Sequence, residues 1–134
     1  MRSSSRQCAI AALFLMLVTG SVFADRPMPD AVITFASGTD TIPASDDHTL
    51  ERLSAKAKAD PGNWINLEAY ANDLGSRELN LALAQRRIED VSRRLALLGI
   101  PTHRIRGISH REERSTEDDL PMHRIEIRIE KLGL

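Results

Sequence analysis

The arrangement of apolar and polar positions divides the chain into two unlike parts. Residues 8–20 (CAIAALFLMLVTG) form one unbroken apolar run, whereas everything after about residue 30 is periodic. Ala31 to Phe35 (AVITF) is short, apolar and β-branched, the signature of a buried strand. A loop rich in Gly, Thr, Asp and Pro follows from Ser37 to Ser45. Ser45 is expected to cap a helix, with Asp46 and Asp47 in its first turn, that runs to about Lys58. Leu50, Leu53 and Ala57 share one side of it, and Asp60-Pro61-Gly62 stops it. Trp64 to Ala71 alternates with Ile65, Leu67 and Ala69 on one face, which predicts a second strand. After the turn Asn72-Asp73-Leu74-Gly75, a long helix is predicted from about Ser76 to Leu98. Its expected apolar stripe is Leu79, Leu83, Ile88, Val91, Leu95 and Leu98. Gly99 ends it and Pro101 prevents its return. Arg104 to Ser109 predicts a third strand and His110 to Asp119 a charged loop. In His123 to Glu130, Ile125, Ile127 and Ile129 alternate with Arg124, Glu126, Arg128 and Glu130, which predicts a last strand with one wet face.

The order β-α-β-α-β-β implies an α+β fold, a two-layer sandwich with the helices packed on one mixed sheet. No internal repeat and no low-complexity tract interrupts it.

The leading apolar run is interpreted through its flanks. Arg2 and Arg6 precede it, Val22-Phe23-Ala24 follow it, and about 13 residues are too few to span hydrocarbon as a helix. Residues 1–24 are therefore expected to be a signal peptide cut after Ala24, leaving 25–134 as one domain in the periplasm, with no transmembrane segment and no anchor of its own. Cys8, the one cysteine, lies inside this segment and lacks the run that precedes a lipidated cysteine. The mature domain thus has no disulfide available and must rely on its core. Without residues 1–24 it carries 16 Lys+Arg against 19 Asp+Glu, a net charge of −3. That balance argues against bulk binding of nucleic acid or of anionic membrane.

Catalytic chemistry is sparse. There is no cysteine nucleophile in the mature part, no GxSxG turn, no phosphate-cradling glycine loop and no HExxH helix. His48, His103, His110 and His123 are scattered over different elements, which does not predict a zinc site. Glu112, Glu113, Glu117, Asp118 and Asp119 share one loop and are taken as a solvated face. The expectation is a protein that is not an enzyme and has no cofactor.

The segment with binding potential is Tyr70 to Val91, where a strand feeds a turn and the turn feeds the long helix. Backbone N–H groups at a helix start carry partial positive charge and suit a carboxylate. Arg87, about three turns on, could approach the same pocket if a neighbouring loop folds beside it. By spacing alone, an ordinary amphipathic helix with a solvated Arg86-Arg87 pair is the favoured reading.

This segment resembles the peptidoglycan-binding, OmpA-like C-terminal domain family, whose pattern can be written TDxxGxxxxNxxLSxxRAxxV. Aligned without gaps, Gly75, Asn80, Leu83, Arg87 and Val91 match it, and Tyr70 fits the preceding aromatic. Gly99-Ile100-Pro101, Arg104 to Gly107 and His123 to Ile127 resemble further family segments, so the likeness covers nearly all of residues 25–134. It implies non-covalent binding of peptidoglycan through the diaminopimelate of its stem peptide. An aspartate and an arginine of the pattern would hold the ligand's ammonium and carboxylate. The arginine carries over to Arg87, and the expected ligand-binding set is Asn72, Asp73, Gly75, Ser76, Asn80, Arg87 and Arg124. Asn72 stands at the aspartate position, Ala71 at the threonine and Ala84 at the serine. Exchanging a charged for a neutral hydrogen bond at Asn72 would weaken binding about tenfold. The alternative implied by these departures is a structural or adaptor subunit of an envelope or outer-membrane protein complex that keeps the fold without the ligand.

Overall fold

The computed structural model describes residues 28–72, 74–110 and 122–132. The expected signal peptide (1–24) and most of the charged loop (111–121) lie outside the described residues. In chain order come β1 (Ala31–Thr34), α1 (Asp47–Lys58), β2 (Asn63–Tyr70), α2 (Arg77–Leu97), β3 (Ile105–His110) and β4 (Arg124–Lys131). Short 3-10 turns precede α1 (Ala44–Asp46) and β3 (Thr102–Arg104). This is the expected β-α-β-α-β-β order, with two helices against one four-stranded sheet.

The strands lie in the order β1-β4-β2-β3. β4, last in the chain, is inserted between β1 and β2 and runs antiparallel to both. β3 is parallel to β2 on the outside. A parallel neighbour requires a crossover, and α2 supplies it. Ile65, Leu67 and Ala69 of β2, Ile125 and Ile127 of β4 and Ile33 of β1 are fully buried. They meet Leu50, Leu53 and Ala57 of α1 and Leu83, Ile88, Val91 and Leu95 of α2 in one core.

α2 begins where the capping logic places it. Ser76 has extended backbone and its Oγ accepts the Leu79 N–H at 3.2 Å. It ends on Gly99, whose φ of 98° is a left-handed conformation that favours glycine. The Gly99 and Ile100 N–H groups return to Ala96 and Leu95 carbonyls. The other closely constrained glycine is Gly107 in β3. A Cβ built there would lie 2.3 Å from Ile88 Cγ2, so α2 and β3 approach more closely than any side chain on residue 107 permits.

Three sequence expectations are corrected. Ser45 does not cap α1; the N-cap is Asp46, without a side-chain cap bond, because residues 44–46 form a 3-10 turn instead. Leu79 is 55 % exposed. The buried stripe of α2 is Asn80, Leu83, Ala84, Arg87, Ile88, Val91 and Leu95, and at roughly 100° per residue Leu79 falls on its flank. The polar side of β4 is wet only at its end: Glu130 is exposed, but Arg124, Glu126 and Arg128 are only 3 %, 4 % and 7 % exposed.

Candidate functional site

The turn joining β2 to α2 is held by one buried side chain. Asn80 lies in the first turn of α2, and its amide closes on both backbone groups of Leu74. Oδ1 accepts the Leu74 N–H at 2.8 Å and Nδ2 donates to the Leu74 carbonyl at 3.2 Å. An asparagine can do this because it carries donor and acceptor on one planar group. The Asn80 N–H in turn reaches the Ser76 carbonyl at 3.0 Å. Asn80 is therefore spent on shaping the turn. The turn presents an exposed Asn72 and an exposed Gly75, beside which there is nothing within 4 Å of a Cβ position. Asp73 lies outside the described residues. Beyond the turn, the free N–H groups of the Ser76-capped helix start carry the positive end of the α2 dipole.

Arg87 is fully buried. The condition set by spacing is met, since the loop after β1 does fold beside it. Its Nε donates to the Thr39 carbonyl at 2.7 Å and Nη2 to the Ala36 carbonyl at 3.4 Å, with the guanidinium 4.8 Å from the centre of the Phe35 ring. Buried cations need such partners, because desolvation without them is prohibitive. Arg87 thus ties the loop over residues 35–39 to α2. Its neighbour Arg86 stays at the surface, 3.4 Å from Asp40.

Arg124 stands opposite Tyr70 in the β4–β2 register, at the same end of the sheet as Asn72 but on the face away from the helices. There it belongs to a ladder of alternating charge that the alternation of β4 alone could not reveal. Arg124 lies 4.1 Å over the Tyr70 ring and donates to Glu126 Oε1 from Nε at 2.9 Å and Nη2 at 2.8 Å. Arg128 joins Glu126 Oε2 at 2.8 Å to Glu68 Oε1 at 3.0 Å. Glu68 Oε2 meets His110 Nε2 at 2.8 Å and receives the Tyr70 hydroxyl at 3.2 Å. The Tyr70 and His110 rings stack 4.6 Å apart. Burial pushes the Glu126 carboxyl up, but the hydrogen bonds and charges of Arg124 and Arg128 outweigh it and hold the group below the usual range.

The structure therefore gathers the sequence-predicted residues at one end of the sheet and separates them by role. Asn72, Gly75 and Ser76 lie on the β2–α2 turn; Asn80 holds that turn; Arg87 ties the loop over residues 35–39 to α2; Arg124 belongs to the ladder on the other face. Among the described residues no group of three or more His, Cys, Asp or Glu is placed to hold a metal ion, and no helix is long and apolar enough to cross a membrane.

Comparison with known proteins gives a consistent picture. Residues 34–124 match the family model described as the OmpA family. Over 82 residues the chain is 38 % identical to the peptidoglycan-associated lipoprotein of Brucella melitensis biotype 1, covering 61 % of this chain and 49 % of the relative. Over 79 residues it is 32 % identical to the probable lipoprotein YiaD of Escherichia coli, covering 59 % and 36 %. The chain spans about half the length, or less, of these curated relatives. Among solved structures, the peptidoglycan-associated lipoprotein of Burkholderia pseudomallei superposes with a TM-score of 0.65 at 23 % identity, over 74 % of this chain and 89 % of that one. The C-terminal domain of Helicobacter pylori MotB superposes at 0.63 and 19 % identity, over 77 % and 86 %. At these identities the two structures speak for the fold.

Proposed function

The chain belongs to the OmpA family, and from that premise we propose that it is an envelope module that binds peptidoglycan non-covalently, without catalytic chemistry. The observation that carries this is the braced strand-turn-helix. Asn80 clamps Leu74 and Ser76 caps α2, so Asn72 and the helix-start N–H groups form a pre-shaped rim where the family pattern places its ligand. The name of the Brucella relative supports the same ligand. In this reading the rim takes a carboxylate of the stem peptide, with the buried positive charge of Arg87 beneath it. Asn72 accepts from the ammonium group without attracting its charge. Residues 1–24 direct export and are removed, so the working protein begins at Asp25 in the periplasm, as N-terminal sequencing of the exported form would register.

The second reading, an adaptor in an envelope complex, is favoured by one specific observation. Arg87, the residue the pattern assigns to the ligand, donates to the Thr39 and Ala36 carbonyls. Co-sedimentation with purified diaminopimelate-containing peptidoglycan separates the two. Wall binding predicts that the parent sediments, that Asn72→Asp sediments about tenfold more tightly and with steeper salt dependence, and that Arg87→Ala does not. Absence of binding by both the parent and Asn72→Asp would leave the adaptor reading.

A further inference from the structure

At the opposite end of β2, about 20 Å from Tyr70 along the strand, the face of the sheet away from the helices holds a groove of about 220 Å³. It is lined by Trp64, Asn66, Arg106, Glu130, Lys131 and Leu132. Its charges are unequally satisfied. Lys131 is paired with Asp60 at 3.0 Å and Glu130 receives the Asn66 amide at 2.5 Å. Nearby Arg104 is consumed by the carbonyls of Asn63, Ala57 and Asp60. Arg106 differs. Its guanidinium lies 4.2 Å from the Trp64 ring centre, and it has no hydrogen-bond acceptor and no ion-pair partner among the described residues. A guanidinium held over an indole face is restrained by cation–π attraction, and its N–H donors remain available to a bidentate acceptor.

From this arrangement we propose that the groove is a second subsite, for a peptide carboxylate. Arg106 grips the carboxylate, the Glu130 carboxylate accepts an amide or ammonium hydrogen, and Trp64 and Leu132 cover the adjoining aliphatic part. Glu130 disfavours a simple anion, so the ligand carries donor and carboxylate together, as a short peptide end does. The cavity is smaller than a drug-sized pocket, which fits one such end rather than an extended ligand. Resting on the proposed wall binding, the occupant is a second stem peptide of the same polymer. Two sites at opposite ends of one strand then engage a repetitive ligand at once and raise avidity without any new contact at the first site.

Trp64 is the only tryptophan of the chain, so tryptophan emission, excited selectively over that of Tyr70, reports on this groove. The purified protein is titrated with soluble stem peptides released from the wall, with the same peptides after amidation of their carboxyls, and with N-acetyl-L-alanyl-L-alanine as a protein-like C-terminus. The expected result is a saturable change in Trp64 emission with the stem peptides only. Its midpoint should be about tenfold weaker in Arg106→Gln and intermediate in Arg106→Lys, which keeps the charge and loses the fork. No response to stem peptides, an equal response to the amidated peptides, or an unchanged midpoint in Arg106→Gln would overturn the subsite. An equal response to N-acetyl-L-alanyl-L-alanine would overturn the wall as its occupant in favour of a protein C-terminus. Sedimentation of Arg106→Gln with insoluble wall reports on the first site without the second, so the two readings fail separately. Arg106 is exposed, and an unchanged melting temperature confirms that its variants are folded.

Discussion

Replacing Gly107 by alanine tests the close approach of α2 to β3. The added methyl would sit 2.3 Å from Ile88 Cγ2, and 3.5 Å from Cβ and Cδ1 of the same side chain. Carbon atoms prefer about 3.5–4.0 Å, so the gap must open by more than about 1 Å. Ile88 cannot turn away, since a β-branched residue in a helix has one strongly preferred χ1 rotamer, and β3 is hydrogen-bonded to β2 along its length. Overpacking of this kind costs about 1–3 kcal/mol. The restricted unfolded chain returns about 0.4–1 kcal/mol, leaving a net loss of about 1–2 kcal/mol. Ile88→Ala alone creates a cavity and should cost about 2–5 kcal/mol. In the double variant the methyl added at position 107 enters space that Ile88 vacated, so the second substitution should cost nothing or restore a few tenths of a kcal/mol. Urea unfolding of the four proteins gives the coupling directly. Additive losses, within about 0.5 kcal/mol, would show that α2 and β3 do not meet here and would refute the packing argument.

Other consequences can be measured with the same material. Leu95 is fully buried and no disulfide compensates for its loss, so Leu95→Ala should cost about 2–5 kcal/mol; an unchanged unfolding midpoint would place the helix in the wrong register. Asn80→Ala leaves both Leu74 backbone groups without their partner and should cost about 1–2 kcal/mol after its gain in helix propensity. Asn80→Asp, which keeps the acceptor but turns an oxygen toward the Leu74 carbonyl, should also speed hydrogen exchange at Leu74, and unaltered exchange in both variants would count against the clamp. Glu126 and Asp30 have carboxyls held below their usual range. At Glu126 burial opposes this and Arg124 and Arg128 prevail; at Asp30 burial is outweighed by the Ile129 N–H and Lys56. The stability they contribute is therefore complete above the ordinary carboxylate pKa of about 4 and is lost as the pH falls through it to the lowered value. Melting temperature should drop along that acid limb, less steeply in Glu126→Gln, and a limb identical in parent and variant would exclude Glu126 from it.

The placement of Arg87 constrains how the proposed binding can be tested. An arginine that anchors a loop through two carbonyls and rests near Phe35 cannot be altered as a surface residue can. Its alanine variant needs a melting curve beside every binding curve. Asn72, exposed on the β2–α2 turn, is the cleaner probe of the proposed binding.

Local pattern was enough to determine the elements and much of the core. Alternation marked β2 and β4 to within about a residue, and Ser76 and Gly99 marked the ends of α2, because capping and left-handed termination are decided within one helical turn. The family pattern, read over Gly75, Asn80, Leu83, Arg87 and Val91, located the strand-turn-helix. What sequence could not decide is what depends on partners far away along the chain. The insertion of β4 between β1 and β2 pairs Ala31 with Ile127 and Ile65 with Ile129. The polar face of β4 looks wet by alternation, yet Arg124, Glu126 and Arg128 on it are buried, because Arg128 finds Glu68 60 residues away and Glu68 finds His110 42 residues away. Arg87 is buried for the same reason, its acceptors lying 48 and 51 residues earlier. The energy of a charge depends on what surrounds it, so whether an arginine is solvent-facing, ligand-facing or structural is settled when distant strands and loops are brought together.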